Sequence, residues 1–292
     1  MDAAILVLNA GSSSVKFQLF TRAGERLKRQ LKGQIDGIGT HPHLLAKSHG
    51  SEVLVDRTWA AGEVGDVPAA LAAVLGWLGQ QLGGRLPAAV GHRVVHGGID
   101  HAEPVLVDDA LLARLDRLVP LAPLHQPNNL AAIRAIRARL PELTQVACFD
   151  TAFHRGHSDV AERYAIPQAL HDEGVRRYGF HGLSYEYIAS VLPKVAPEIA
   201  HGRVVVAHLG SGCSLCAIAN GKSVDSTMGF TALDGLPMGT RVGQIDPGVL
   251  LYLLSEHGWD AQRLQRFLYH DCGLKGLSGL SNDMRDLLAS NA

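Results

Sequence analysis

The chain has 292 residues, a formal net charge of −1 and 47% hydrophobic residues, which predicts two domains with a sizeable core. Acidic and basic residues are interspersed without a basic tail or stripe, so we expect no nucleic-acid partner. No positively charged segment precedes the short apolar run at the start, and no run of about 18 apolar residues occurs. These features predict a cytoplasmic chain with no membrane association.

A strand–turn–strand unit opens the sequence. Residues 4–8 and 15–20 have the apolar content of strands, and the small residues 10–14 between them predict a hairpin tip. Glycine and serine in such a turn let backbone N–H groups and hydroxyls approach a ligand, and phosphate is the usual one. Asn9 and Lys16 flank the turn and favour a phosphate loop, although a plain tight hairpin remains the alternative.

Helices and buried strands follow the first hairpin. Apolar spacing predicts helices over residues 68–82 and 128–140, and apolar runs predict strands over residues 86–95 and 144–149. The mixture indicates an α/β fold.

A second strand–turn–strand unit lies about 200 residues after the first. Its strands are predicted over residues 203–208 and 213–219, around Gly210, Ser211 and Gly212. The likeness of the two units predicts two related domains that face one cleft, with the boundary near Asp150. The predicted domains span residues 1–150 and 151–292. Further helices are predicted over residues 184–192, 247–257 and 261–268, with Asp246 as a cap and Pro247 in the first helical position.

Cysteine and histidine patterns do not predict a disulfide scaffold or a structural transition-metal site. The four cysteines are few and dispersed, so we expect reduced thiols. Cys213 and Cys216 form a C-x-x-C inside a predicted strand, where they point to opposite faces. The 15 histidines include no H-E-x-x-H, and His154 with His157 lacks the rest of a ligand set.

Two arginines and one aspartate have contexts that indicate chemistry. Arg93 and Arg241 lie beside glycines in apolar segments, and phosphoryl transfer needs such positive charge around the moving group. An ion pair that closes two loops is the alternative. Asp150 follows an apolar strand, where α/β folds place functional carboxylates, and a helix cap is its alternative.

Seven segments occur in the order that they have in acetate kinases: VLNAGSSSVKFQLF, GHRVVHGG, PLAPLHQPNN, CFDTAFH, RRYGFHGLSYEYI, HLGSGCS and STMGFTALDGLPMGTRVGQIDPG. The sequence therefore resembles the acetate kinase family over almost its whole length. The resemblance implies two duplicated actin-like, ribonuclease H-like domains with a nucleotide cleft between them. It also implies a homodimer that uses Mg²⁺ or Mn²⁺ and transfers a phosphoryl group directly and reversibly between ATP and acetate, giving ADP and acetyl phosphate.

The resemblance assigns roles to individual residues. The implied catalytic residues are Arg93, His125, Asp150, His181 and Arg241. The implied phosphate-binding residues are Asn9, Ser12, Ser14 and Lys16 in the first loop, and His208, Gly210, Ser211 and Gly212 in the second. Asn9 and Asp150 are implied at the metal, and Arg93, Val95, Leu124, Phe180 and Ala232 at the pocket for the acid.

The sequence departs from the family pattern at two of these positions. Ser211 stands where the family usually has Asn, which keeps a donor but shortens its reach. Ala232 stands where acetate kinases commonly have Pro, which removes volume from the pocket wall. A kinase for propionate or a broader range of short-chain acids is therefore the alternative.

Family chains normally continue beyond the final segment SNDMRDLLASNA. From the resemblance we expect a truncated, incomplete second domain that lacks the segment holding adenosine. We therefore expect weak ATP binding, slow or absent turnover and a tendency to aggregate. An inactive phosphate-binding fragment is the alternative of another class.

Overall fold

The computed structural model describes residues 3–24 and 26–290, apart from the side chain of Ala23. The chain forms two compact units, of which the first ends at Phe149 and the second begins at Asp150. Within the described residues, none of the helices is long and apolar enough to cross a membrane.

The first unit combines a large mixed sheet with helices. Its strands are β1 (Ala4–Ala10), β2 (Ser14–Ala23), β3 (Arg26–Asp36), β4 (His43–Ser48), β5 (Val53–Thr58), β6 (Ala89–Val94), β7 (Val105–Leu106) and β8 (Thr144–Phe149). Its helices are α1 (Val67–Gln81), α2 (Asp109–Asp116) and α3 (Gln126–Arg139).

The strands of this sheet lie in the order β5-β4-β3-β2-β1-β6-β8-β7. Strands β1 to β5 form an antiparallel meander, whereas β6 pairs parallel with β1 and β8 pairs parallel with β6. Because β1 and β6 run in the same direction, their carboxyl ends lie at one edge of the sheet. Asn9 and Arg93, each one residue before the end of its strand, are therefore carried to that edge.

The core of the first unit lies between the sheet and α1. Asp66 caps α1 by accepting a hydrogen bond from the Ala69 N–H at 2.8 Å, and the helix then buries Leu71, Val74 and Leu78. Phe17 of β2 is buried on the same side and contacts Trp77, with ring centroids 6.0 Å apart. Each such buried apolar side chain contributes about 1.5–3 kcal/mol. This packing makes the sheet a rigid support for the residues at its edge.

The second unit has a smaller sheet and shorter helices in its described part. Its strands are β9 (Arg203–Leu209), β10 (Cys213–Ala219) and β11 (Lys222–Ser226), in the order β11-β10-β9 with both pairs antiparallel. Its helices are α4 (Asp159–Glu162), α5 (Gln168–Asp172), α6 (Gly182–Val195), α7 (Pro247–Ser255), α8 (Ala261–Arg266), α9 (Gly273–Ser278) and α10 (Met284–Ala289).

Both predicted strand–turn–strand units are confirmed. β1 pairs antiparallel with β2, and β9 pairs antiparallel with β10, so small-residue turns connect both pairs. The predicted strand over residues 144–149 has the observed bounds, and the predicted helices occur with shifts of a few residues at their ends. Asp246 caps α7, as predicted, because its side chain accepts a hydrogen bond from the Gly248 N–H at 2.7 Å.

Several predicted boundaries differ from the observed ones, and three of the differences have a structural reason. The strand predicted from residue 86 begins at Ala89, since Leu86 is exposed and precedes the pairing with β8. The helix predicted to residue 268 ends as an α-helix at Arg266, and a π-helical segment, Phe267–Asp271, continues it. Helix α6 begins two residues before its predicted start, because His181 takes the capping position.

Candidate active site

Asn9 and Arg93 meet in the first unit. The Arg93 guanidinium donates a hydrogen bond from Nη1 to Oδ1 of Asn9 at 3.0 Å, although the two residues are 84 positions apart. Parallel pairing of β1 with β6 produces this approach. The contact fixes the direction of a half-buried guanidinium, which is a planar cation suited to phosphoryl and carboxylate oxygens.

The first small-residue turn lies beside this pair. The turn is closed by a hydrogen bond from the Gly11 N–H to the Ser14 carbonyl at 2.8 Å. Ser12 is exposed, and Lys16 is exposed directly opposite Asn9 in the β1–β2 register. Hydroxyls, an amide and an ammonium are therefore presented at one end of the hairpin, which fits a phosphate-binding loop.

Helix α3 locks the segment that follows Arg93. Oδ1 of Asn129 accepts a hydrogen bond from the Val95 N–H at 2.9 Å, and Nδ2 of Asn129 donates to the Ala10 carbonyl at 2.7 Å. Val95 is therefore held beside the end of β1, with its side chain buried. Leu124 and His125, which immediately precede α3, are partly exposed.

In the second unit, Asp150 is fixed through its backbone as well as by its burial. Its side chain is buried, and its carbonyl oxygen accepts a hydrogen bond from the Gly182 N–H at 2.8 Å. Gly182 allows this approach because a Cβ at that position would lie 2.2 Å from the carbonyl oxygen of Asp150. The first residue of α6 is therefore hydrogen-bonded directly to Asp150, the residue that carries the candidate carboxylate.

His181 and His208 form a stacked pair of imidazoles. Their centroids are 4.0 Å apart with an interplanar angle of 19°. His181 adopts a left-handed conformation, with φ 59°, which turns its side chain at the start of α6. Its Nδ1 lies 2.8 Å from Oγ of Ser214, and Nδ1 of His208 lies 3.0 Å from Oγ of Ser184. Both rings are thus held by serine hydroxyls.

The second small-residue turn, His181 and Arg241 converge. A Cβ added to Gly212 would lie 3.3 Å from Nε2 of His181 and 3.6 Å from Nη1 of Arg241. The turn is also tied to the segment before Arg241, because the Gly239 N–H donates to the Ser211 carbonyl at 3.2 Å. The second turn therefore lies directly against an imidazole nitrogen and a guanidinium nitrogen, and the lack of a Cβ at Gly212 favours this close approach.

The residues predicted to line the acid pocket differ in their exposure to solvent. Ala232 is partly exposed, and its carbonyl accepts a hydrogen bond from Nη1 of Arg241 at 3.1 Å. Phe180 directly precedes His181 but is only 1% exposed, and Val95 is 3% exposed. Of these three side chains, Ala232 therefore has the most surface for contact with an acid, and the pocket roles of all three stay predictions.

The candidate metal ligand of the second unit is a hard oxygen donor. No group of three or more His, Cys, Asp or Glu side chains comes together among them. Asp150 supplies one buried carboxylate. Mg²⁺ fits such a donor set, because it keeps most of its water ligands and binds through one or two protein carboxylates.

Cys213 and Cys216 do not act as a pair. Cys216 is buried, whereas Cys213 is partly exposed on the alternate face of β10. Burial raises the pKa of both thiols, which keeps them protonated at neutral pH. This result agrees with the predicted opposite faces.

Three side chains that support the imidazoles were not singled out from the sequence. They are Ser184, Tyr185 and Ser214. Ser184 contacts His208, Ser214 contacts His181, and Tyr185 contacts Ser214. Ser184 and Tyr185 follow His181 by three and four residues, and this helical spacing is the feature of the sequence that indicates a shared face. Ser214 is 33 residues from His181, and only the β-hairpin brings it there.

Comparison with known proteins places this arrangement in a family. The sequence model of the Acetokinase family matches residues 4–292. The acetate kinase of Nitrobacter hamburgensis is 65% identical over 292 residues, a match that covers 99% of this chain and 72% of that protein. A propionate kinase structure from Francisella tularensis superposes with a TM-score of 0.90 at 36% identity, covering 99% of this chain and 74% of that one.

An acetate kinase structure from Porphyromonas gingivalis superposes with a TM-score of 0.83 at 35% identity and covers 98% of this chain and 72% of that one. These matches confirm the predicted α/β, actin-like fold class. The chain belongs to the acetokinase family.

Proposed function

We propose that the chain transfers a phosphoryl group between ATP and acetate, forming ADP and acetyl phosphate. The observation that carries this proposal is the close approach of His181 Nε2 and Arg241 Nη1 to Gly212 in the second small-residue turn. A guanidinium, an imidazole and a glycine-bounded turn are the groups that a phosphoryl transfer centre needs. The relative from Nitrobacter hamburgensis, named an acetate kinase, supports acetate as the acid.

The reaction is a direct in-line displacement. An acetate carboxylate oxygen attacks the γ-phosphorus, the bond to the β,γ-bridging oxygen breaks, and ADP leaves with that electron pair. Arg241 stabilises the negative charge on the equatorial oxygens, and the second small-residue turn beside it binds phosphate of the nucleotide. For Arg93 and the first small-residue turn, the resemblance supports the same kinds of contact. Catalysis comes from positioning and electrostatics, so no covalent enzyme intermediate is required.

His181 acts as a hydrogen-bond donor through Nε2. Burial raises the pKa of Tyr185 to about 12, so its hydroxyl stays protonated and can donate to Oγ of Ser214. When Ser214 in turn donates to Nδ1 of His181, the ring hydrogen lies on Nε2. Among the atoms of His181, Nε2 lies nearest to the position that a Cβ of Gly212 would take. The Tyr185–Ser214 pair thus selects the tautomer that transition-state binding requires.

The proposed metal is Mg²⁺, with Asp150 as its protein carboxylate; for Asn9 the role of metal ligand rests on the resemblance alone. When bound with ATP, Mg²⁺ neutralises charge on the phosphates. The hard oxygen character of Asp150 supports this choice.

Steady-state kinetics of arginine variants test the assignment. Arg93→Ala or Arg241→Ala should lower kcat about 10²- to 10³-fold, because each guanidinium acts on charge that develops in the transition state. Lysine at either position should rescue poorly, since a point charge lacks the guanidinium fork. Arg134→Ala is a matched control, because Arg134 forms an exposed ion pair with Asp116. A kcat of the Arg241→Ala protein equal to that of the Arg134→Ala protein would overturn the proposal.

A second candidate is a kinase for propionate or other short-chain acids. Ala232 is smaller than the proline that acetate kinases commonly have, and its carbonyl is bound to Arg241. The structural relative from Francisella tularensis is named a propionate kinase. Rates on acetate, propionate and butyrate separate the two candidates.

We also propose that the chain forms a homodimer through α7. This helix has no charged residue and no buried residue, and its Leu251 and Tyr252 are 64% and 56% exposed. A helix that is apolar on every side is normally covered, and an uncharged surface is complementary to a second copy of itself.

The four cysteines are free thiols, and ATP is the proposed phosphoryl donor. Both features support a cytoplasmic location, which we also propose.

A further inference from the structure

A hydrogen-bonded cluster lies behind the segment that carries Phe180 and His181. Oγ of Ser223, in β11, is contacted by three side chains, at 2.8 Å from Nδ1 of His154, 2.7 Å from Nε2 of His157 and 3.2 Å from Sγ of Cys216. The second ring nitrogen of His154, Nε2, lies 3.0 Å from the carbonyl oxygen of Phe180. The cluster therefore extends from a strand to the backbone next to His181.

The direction of each hydrogen bond follows from the chemistry of the partners. A carbonyl oxygen can only accept, so Nε2 of His154 carries the hydrogen and donates to Phe180. Burial lowers the pKa of His154 to about 4, so the ring is neutral and its Nδ1 must accept. The Ser223 hydroxyl therefore donates to Nδ1 of His154 and accepts from Nε2 of His157. Together these bonds fix one tautomer and one ring orientation of His154.

The backbone near His154 leaves little room for another arrangement. His154 is fully buried, and a Cβ added to Gly179 would lie 2.7 Å from its ring. The N–H groups of Tyr178 and Gly179 both donate to the Gly229 carbonyl, at 2.9 and 3.3 Å. His154 holds the opposite end of the same short segment through Phe180.

We infer that His154 is a positioning residue, whose Nε2–H sets the Phe180 carbonyl and thereby holds His181 in the left-handed conformation that aims its imidazole at Gly212. The inference rests on the proposed function only for its consequence for catalysis. His154 touches no reacting atom, so it acts through the backbone of Phe180 and His181. Ser223 and His157 support it by selecting the tautomer.

Two substitutions separate positioning from packing. His154→Gln places an amide N–H near the position of Nε2 and keeps the donor to Phe180, whereas His154→Asn reaches only the position of Nδ1 and loses that donor. Both remove a buried ring. His171→Gln and His171→Asn are matched controls, because His171 is also buried in this unit, in α5.

Activity should distinguish the variants. His154→Asn should lower kcat about 10- to 100-fold, whereas His154→Gln should stay within about threefold of the unmodified chain, at a similar loss of melting temperature. Both His171 variants should keep kcat. Equal kcat values for the two His154 variants would show that the residue only fills space.

A second readout does not depend on turnover, and its first part needs only the unmodified chain. Nitrogen-edited NMR of the unmodified chain should show His154 as the Nε2–H tautomer at neutral pH. The imidazole signals of His181 should move in His154→Asn and stay in place in His154→Gln. A His154 ring protonated on Nδ1, or His181 signals unchanged in the Asn variant, would overturn the inference even if the chain proves not to be a kinase.

Discussion

Replacement of Gly182 by alanine tests the connection between Asp150 and His181. The added Cβ would lie 2.2 Å from the Asp150 carbonyl oxygen and 3.0 Å from Cβ of Phe153. Because real Cβ contacts are essentially never shorter than 3.0 Å, the start of α6 and Asp150 must separate by about 0.8 Å. The hydrogen bond from the Gly182 N–H to Asp150 would then be lost.

A shift of about 1 Å in a catalytic group costs about 10²-fold in rate, so we expect kcat of Gly182→Ala to fall 10- to 100-fold. The strain should also lower stability by about 1–3 kcal/mol. The assay is hydroxamate-coupled formation of acetyl phosphate, with the melting temperature measured in parallel. Gly156→Ala is the control, because nothing lies within 4 Å of its added Cβ. A kcat of Gly182→Ala equal to that of the control would refute the coupling between Asp150 and α6.

Three further predictions concern pH, acid preference and assembly. Burial lowers the pKa of His92 and of His154 to about 4, so each ring excludes a proton that the unfolded chain binds. The contribution of these neutral rings to the free energy of unfolding should therefore be fully present above about pH 6.5 and fall by up to about 3 kcal/mol per ring as pH drops toward 4. In thermal melts, His154→Gln should reduce this loss. Ala232→Pro should shift the ratio of kcat/KM from propionate toward acetate by about 10-fold, and an unchanged ratio would remove Ala232 from the pocket wall. In sedimentation, Leu251→Glu should convert a dimer to a monomer. The control Leu106→Glu, at an exposed position in β7, should leave the dimer intact. A monomeric unmodified chain at micromolar concentration would contradict the proposed interface.

The sequence predicted those parts of the fold whose signal is local. Both hairpins, α1 and α3 follow from apolar spacing and small-residue turns, and the Asp246 cap follows from its position before Pro247. Strand β3 was not predicted because its segment RLKRQLKGQID carries four basic side chains, three of them exposed, and only Leu31 and Ile35 are buried. Strands β4 and β5 were missed with it, since their pairing depends on β3.

The candidate site could be predicted only as separate residues. The hydrogen bond between Arg93 and Asn9 spans 84 positions, and the one between His154 and Ser223 spans 69. Such pairings depend on strand order, which a single sequence does not specify. The spacing of His154 and His157 indicates at most an incomplete metal pair, whereas the structure joins them through Ser223. The apolar spacing of α7 predicted the helix but not its exposure, because exposure depends on which surfaces meet.

The measurement that tests the central claim most directly is product analysis of the unmodified chain with Mg-ATP and acetate, beside Arg241→Ala. Phosphorus NMR should show acetyl phosphate and ADP formed in equal amounts by the unmodified chain, and formation at least about 10²-fold slower by Arg241→Ala. Absence of acetyl phosphate from the unmodified chain, with phosphate or ATP still bound in a calorimetric titration, would contradict the account and favour a phosphate-binding chain without turnover.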